Sequence, residues 1–223
     1  MSAPHSPAEL QRLYEKRFAG KNAYRDKVWR VLVDAYFVQW LSTDATVLDL
    51  GCGYCEFINN VRTQKRLGMD LNPDTVKYAA PGVQVLAQSC SEPWATPDDS
   101  LDVVFTSNFF EHLHTKRDLR DTLLQAWRCL RPGGRIIALG PNIRYLPGAY
   151  WDFYDHYLAL TELSLGEVMA ETGFKVEIQI PRFLPYTMSR AGGQPPIWML
   201  RMYLKSRFAW PLFGKQFLVV ARK

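Results

Sequence analysis

From Thr46 to Phe57 the chain reads T-V-L-D-L-G-C-G-Y-C-E-F, and the way this stretch changes character decides the fold. Val47, Leu48 and Leu50 form a short apolar run of the buried-strand type. Gly51 and Gly53 close it abruptly, and a helix-like pattern begins near Glu56. A strand, a tight glycine turn and a helix start form the opening unit of an α/β domain. Because glycine lacks a Cβ, such a turn tolerates positive φ and lets a ligand approach bare backbone N–H groups. A site for a nucleotide-like ligand is the first expectation.

Acidic residues narrow the choice of ligand. The dinucleotide pattern G-x-G-x-x-G uses its third glycine to leave room for a pyrophosphate, and here that position is Glu56. A diphosphate would meet a carboxylate. Asp49 adds a second negative charge at the strand end, which suits a cationic ligand bearing an amino group, such as S-adenosylmethionine with its ammonium and sulfonium. Taken alone, D-x-G-x-G also fits a glycine turn in an ordinary α/β unit. The segment R-L-G-M-D-L-N-P at 66–73 adds a short strand ending in Asp70, nineteen residues beyond Gly51. At that distance βαβ folds place a carboxylate that accepts both ribose hydroxyls. Leu71 beside it can lie against an adenine face. A helix N-cap at Asn72 or Asp74 is the plain structural alternative, and it does not require an acid at 70.

With 223 residues, the chain has room for one sizeable α/β domain rather than two full ones. Its 48% apolar and 22% charged residues are those of a globular protein, and no apolar run approaches the roughly 20 residues that span a bilayer. Met1 to Ser6 lacks the charged and apolar regions of a signal peptide, so a cytoplasmic location is expected. Cys52 and Cys55 have the spacing of a redox pair, but they lie inside the glycine turn and no second pair completes a zinc site. No metal is expected. Cys90 and Cys129 fall on apolar segments and read as small buried fillers. The net charge of +5 is unevenly spread: after Glu177 there are eight basic residues and no acidic one. Basic residues among aromatics suit an anionic partner or a membrane surface. No nucleic-acid-binding pattern accompanies them, so a nucleic acid is not expected.

From Pro7 to Leu41 the spacing predicts two helical segments, one with Leu10, Leu13, Tyr14 and Phe18, the next with Val28, Leu32, Ala35, Tyr36 and Trp40. The Ser6-Pro7-Ala8-Glu9 start carries an N-cap, a first-turn proline and a capping-box acid. These helices are expected to cover one mouth of the sheet, where Arg25 and Arg30 could reach a ligand carboxylate or simply face solvent. Further strands are expected at Val83 to Ala87, then after a turn in Asp98 to Phe105 that leads into a strand ending at Thr106-Ser107-Asn108, and at Arg135 to Leu139 after the helix Leu119 to Leu130 and the turn Pro132-Gly133-Gly134. The loop Gln88 to Ser91 should meet the adenine edge. Residues at carboxyl ends of strands line the crevice of an open α/β sheet, which nominates Ser107, Asn108, Glu111 and His112 for the reacting region. His114 is expected to face solvent.

Four segments in order, VLDLGCG at 47–53, GMDLNP at 68–73, PDDSLDVVFTSNFFEHL at 97–113 and LRPGGRIIALGPN at 130–142, resemble the class I S-adenosylmethionine-dependent methyltransferases. The likeness covers about 42 to 142, and a helix at 161–172 with strands at 174–180 and 216–221 fits the remainder. It implies a Rossmann-like, mostly parallel seven-stranded sheet with an antiparallel last strand and helices on both faces. It also implies a single domain over 1–223, with an N-terminal helical cover (1–41), a cofactor-binding core (42–142) and acceptor-side insertions (143–160 and 182–213). The cofactor would lie across Asp49, Gly51, Cys52, Gly53, Asp70, Leu71, Cys90 and Ser91, with Ser107, Asn108 and Arg25 nearby. Asp49 would bind the methionine ammonium. The family often has an aspartate against the adenine amino group where this chain has Cys90, so backbone groups at Ser91 would take that contact.

The insertions should choose the methyl acceptor, because long structured loops at that edge form lids and pockets. Asn142, Tyr145, Trp151, Asp155 and His156 in the aromatic-rich first insertion are the acceptor candidates. Its Y-W-D-F-Y-D-H run resembles bacterial methyltransferases of glycan assembly, which favours a hydroxyl on a small molecule, glycan or lipid-linked acceptor. His112 is the first choice for proton acceptor, with Glu111, Asp155 and His156 in reserve, and a packed helix-start histidine is the plain alternative. In Pro195 to Phe213, helical spacing puts Ile197, Leu200, Leu204 and Phe208 on one stripe. Such a stripe suits packing on the domain, a lid over the acceptor, or peripheral contact with the inner membrane surface. Two other functions stay open on the same scaffold. Glu56 and the lack of a Tyr-x-x-x-Lys pair argue against a nicotinamide-dependent oxidoreductase, and a non-catalytic cofactor-binding module is the other.

Overall fold

The computed structural model describes residues 22–186 and 194–223. The first predicted helical segment, Leu10 to Phe18 with its Ser6 cap, lies outside the described residues. The described part begins with α1 (Asn22–Ala35), then continues through β1 (Thr46–Leu50), α2 (Glu56–Asn60), β2 (Lys65–Met69), α3 (Thr75–Tyr78), β3 (Val83–Leu86) and β4 (Leu101–Ser107). It continues through α4 (Lys116–Cys129), β5 (Leu130–Pro141), α5 (Glu162–Glu171), β6 (Lys175–Leu184), α6 (Ile197–Lys205), α7 (Trp210–Phe213) and β7 (Gln216–Arg222). The seven strands form one sheet in the order β3-β2-β1-β4-β5-β7-β6. Strands β3 to β5 pair in parallel, and β7 runs antiparallel between β5 and β6. The order turns back at β1 and β4, so the crevice opens at the carboxyl ends of those two strands.

Alternation along the central strands builds two apolar layers. Leu48, Leu50, Leu101 and Val104 face a layer containing Leu119, Leu123 and Ala126 of α4 and Leu165 and Met169 of α5. Val47, Val103 and Phe105 face the other, with Trp29 and Leu32 of α1, Phe57 and Ile58 of α2 and Leu204 of α6. Every residue of β1 is buried, as a central strand covered on both faces requires. Phe57 and Phe105 stack with ring centroids 3.6 Å apart, which seats α2 directly on β4.

Two strands outrun their sequence signals. β5 starts at Leu130 rather than Arg135, because the glycine turn is itself held by Lys223. The Gly133 N–H donates to the Lys223 carbonyl at 2.9 Å, and the Lys223 N–H donates to Gly134 at 3.0 Å. β6 continues past Ile180 to Leu184, with the register shifting around Pro181, which has no N–H for the ladder. The predicted stripe in 195–213 also needs correcting. Leu204 is buried and Ile197 and Leu200 pack on the core, but the helix stops at Lys205, and Phe208 in the next turn is 80% exposed.

Candidate active site

A cavity of about 520 Å³ opens at the carboxyl ends of β1 and β4. The turn after β1 forms one wall. Gly51 has φ +70°, and a Cβ there would lie 2.3 Å from the Phe109 ring, so only glycine lets this backbone pass. The Gly51 N–H donates to the Met69 carbonyl at 2.8 Å, tying the turn to β2. At the end of β2, Asp70 accepts from the Gly53 N–H at 2.7 Å and from the Asn72 N–H at 2.8 Å, one bond on each carboxylate oxygen. The carboxylate is thus fixed in direction while each oxygen keeps lone-pair capacity for a hydroxyl.

The cavity gathers acids. Asp49, Glu56 and Asp70 all line it. Burial pushes the Asp49 carboxyl well above its ordinary range, and the charges of Asp70 and Glu56 push it further against a backbone hydrogen bond at Ile58. Burial likewise raises Asp70 against its backbone donors, and raises Glu56 against the Arg25 charge. Arg25 Nη2 donates to Glu56 Oε2 at 2.8 Å, and Arg25 Nε lies 2.6 Å from Oε1, so this guanidinium, expected to meet a ligand carboxylate, is engaged by the adjacent acid. One cation stands against three carboxyl groups, Asp49 buried and Asp70 and Glu56 partly so, and their raised pKa values mark sites that disfavour further negative charge. This gathering of acids fits a ligand carrying positive charge and a diol, and opposes one carrying a diphosphate.

Around the adenine-side wall, Leu71, Gln88, Ser89, Cys90 and Ser91 line the cavity. Leu71 is half exposed. Cys90 is buried; its thiol accepts from Thr122 Oγ1 at 3.4 Å, and its carbonyl accepts the Trp94 indole N–H at 2.8 Å. Burial pushes the Cys90 thiol up to about 11, so it stays protonated at neutral pH. Cys52 and Cys55 are buried and reduced, with their sulfurs 3.9 Å apart.

The opposite wall carries the polar groups suited to proton transfer. After β4, Asn108 adopts φ +50° and its N–H donates to the Leu139 carbonyl at 2.8 Å. This bend turns the chain into the short helical turn Phe110–His112. The Glu111 carbonyl accepts the N–H groups of Tyr157 and Leu158, which brings the first insertion against β4. His112 Nδ1 consequently lies 2.9 Å from the Asp155 carbonyl and 3.2 Å from Asp155 Oδ2. With the Nδ1 proton directed at these oxygens, Nε2 carries the lone pair. Burial alone lowers the His112 pKa, but the Asp155 hydrogen bond and the charges of Glu111 and Asp155 outweigh it and the net direction is up. Burial pushes Glu111 up to about 7. Donor atoms of Glu111, His112 and His156 lie within 4.8 Å of one another, a spacing at which three such groups could also hold a cation.

Asp155 and His156 line the cavity as the sequence suggests, but the other three acceptor candidates stand outside it. Asn142 is fully buried: it caps the turn Ile143–Tyr145 and donates to Glu162 Oε2 at 2.6 Å and the Pro181 carbonyl at 3.0 Å. Tyr145 lies under the Arg182 guanidinium, and Trp151 packs edge-on to Tyr150 with half its surface in solvent. Sequence reasoning missed Trp29, Phe109, Phe153, Tyr157 and Tyr186, which line the cavity. Trp29 sits on a helix that also builds the core, and the other four lie in connections whose course the sequence pattern does not fix, so none carries a separate signal for a cavity wall. His114 is exposed but sits at the cavity mouth, with the Tyr157 ring 4.3 Å away.

Residues 21–179 match the model of a methyltransferase domain family, and the chain belongs to that family. Among solved structures it is similar to an S-adenosylmethionine-dependent methyltransferase of Archaeoglobus fulgidus, at 22% identity over 96% of this chain and 99% of that one, with a TM-score of 0.66. It is similar also to an S-adenosylmethionine-dependent methyltransferase of Mesorhizobium loti, at 14% identity over 87% and 98%, with a TM-score of 0.61. The [4+2]-cyclase SpnF shares the fold as well, at 15% identity over 89% and 80%, with a TM-score of 0.60. No curated protein sequence matches the chain.

Proposed function

We propose that the chain transfers the methyl group of S-adenosylmethionine to a hydroxyl of a small molecule, glycan or lipid-linked acceptor, with His112 taking the proton. The observation that carries this reading is the joining, in one cavity, of a three-carboxylate cradle on the β1 and β2 ends with a His112–Asp155 pair on the β4 end. Asp49 would hold the ammonium, Asp70 the ribose hydroxyls, and Gly51 and Gly53 the close backbone approach. When bound, the cofactor supplies an activated methyl group, so the protein has alignment and proton removal left to do. Asp155 orients the imidazole and stabilises its protonated form, and Glu111 adds a charge behind it. His156 and Phe153 form the acceptor side of the wall, their rings stacked at 4.9 Å.

Calorimetry with S-adenosylmethionine and S-adenosylhomocysteine tests the cradle. Micromolar binding is expected for both, and Asp70→Ala should weaken it at least tenfold, because two charge-assisted hydrogen bonds of about 1.5 to 3 kcal/mol each are lost. No heat with either ligand, or heat with a nicotinamide dinucleotide instead, would overturn the reading. Turnover assays with added chelator separate the two uses of the histidine cluster. Activity abolished by chelation and restored by a divalent cation would reassign Glu111, His112 and His156 to a metal.

A further inference from the structure

Residues 194–215, the described part of the connection that leads into β7, present two unlike faces. Inward, Leu204 is buried, Ile197 and Leu200 pack on the core, and Tyr203 Oη donates to the Phe183 carbonyl at 2.8 Å. Outward, Trp198, Met199 and Met202 of α6 are 64%, 47% and 57% exposed, and the turns that follow add Phe208, Leu212 and Phe213 at 80%, 67% and 61%. Single exposed apolar side chains are ordinary on a protein surface, but six within so short a segment, three of them aromatic, are not.

Cations accompany them. Arg201 and Lys205 are exposed three and seven residues after Trp198, on the same side of α6, and Arg207 is exposed in the next turn. Among the described residues, no ion pair involves any of the three. Three other basic groups beyond Glu177 are engaged elsewhere: Arg222 pairs with Glu177, Lys223 with Asp99, and Arg182 donates to the Gly214 and Leu212 carbonyls. Arg201, Lys205 and Arg207 therefore stand beside the apolar side chains, in a region without a single acidic residue.

We propose that this face docks on an anionic lipid bilayer. Trp, Phe, Leu and Met side chains enter the boundary between headgroups and acyl chains, and adjacent arginine and lysine groups meet lipid phosphates. A protein partner is usually held in register by charges of both signs, and this face carries only one. The segment is anchored at the cavity's edge of the sheet: β6 leaves at Leu184, β7 enters at Gln216 opposite Pro141, and Tyr186 lines the cavity. Docking thus turns that edge toward the lipid. That the methyl acceptor is carried on the bilayer follows only if the methyl-transfer reading holds; the docking itself does not depend on it.

Co-sedimentation of the full chain with phosphatidylcholine vesicles, with and without about one third phosphatidylglycerol, tests the proposal without cofactor or acceptor. The expected result is pelleting that is at least about tenfold stronger on the anionic vesicles at low salt and falls as salt is added. R201S/K205S/R207S should remove the preference for anionic lipid, and W198S/M202S should weaken pelleting at every salt concentration. Calorimetric binding of S-adenosylhomocysteine by both variants would show that they remain folded. Negligible pelleting on both vesicles at low salt, or a triple variant that pellets like the wild type, overturns the proposal. So does light scattering that finds a lipid-free dimer lost in W198S/M202S, which would assign the face to self-association. A chain that binds cofactor but no vesicle retains the methyl-transfer reading, and one that binds vesicles but no cofactor retains the docking surface alone.

Discussion

His112 is useful as a proton acceptor only when neutral, and its neighbours decide at which pH that happens. Asp155 and Glu111 together hold its pKa above the ordinary value despite burial. Turnover with a hydroxyl acceptor is therefore expected to rise with pH through this raised pKa. Removing either charge should move that rising limb to lower pH, Asp155→Asn further than Glu111→Gln, because the Asp155 hydrogen bond is the larger influence. His112→Ala should lower turnover by about 10² to 10⁴ while cofactor affinity is retained. Measured pH profiles of kcat check both. An unmoved limb in both charge variants would show that the imidazole does not titrate in turnover. At this scale Asp49, Gly51, Gly53 and Asp70 were legible, since one turn and one strand end fix them all. The Asp155 partner was not, because the contact depends on the Glu111 carbonyl catching a segment more than forty residues away.

Among the elements, the connection after β5 departs most from its sequence signals. Aromatic and polar residues there suggest an acceptor wall throughout, yet its first part is structural. Asn142 supplies a buried donor to Glu162, whose other oxygen faces Arg144 at 3.3 Å. Asn142→Ala leaves that carboxylate short of a partner in a buried setting, and is expected to lower stability by about 2 to 3 kcal/mol with KM for the acceptor unchanged. Urea denaturation beside steady-state kinetics distinguishes this from a binding role, which would raise KM at constant stability. Phe208 illustrates the converse. Periodicity kept it on an inward stripe, but Ser206, its N–H bonded to the Met202 and Tyr203 carbonyls, ends α6 first. Helix limits were unevenly legible: the helix expected at Leu119 to Leu130 runs Lys116–Cys129, its start missed by three residues and its end by one. Thr115 and Thr161 each form a reciprocal capping box at the start of α4 and α5, whereas α6 ends without a glycine to mark it.

For the molecule as a whole, the gathered acids make stability depend on pH in a definite sense. Glu111 rises from 4.5 to about 7 on folding, so its protonated form is favoured in the native state. Stability from this source is full below about pH 4.5 and is lost as pH rises through 7; it amounts to at most about 3 kcal/mol. Asp49, Asp70 and Glu56 are also raised and act in the same direction. Denaturation midpoints of wild type and Glu111→Gln are expected to diverge above pH 5 in favour of the variant, with the gap widening to pH 8. A constant gap would place the Glu111 carboxyl in contact with water. Fold class was legible at this scale because β1 and β2 announce themselves locally, each by a short strand closed with a glycine or an acid.

The reversed strand β7 also sets an order of assembly. Strands β1 to β4 and their connecting helices are complete once Ser107 has been made, and all of their mutual pairings, β1 with β2, β2 with β3 and β1 with β4, lie within that part of the chain. β5 and β6 share no direct pairing; each is bonded to β7, from opposite sides. During translation the ribbon carrying the acidic cradle can therefore close while the other end of the sheet waits, with β5 exposing one edge and β6 lacking a neighbour, until residues 216–222 clear the ribosome and slide between them.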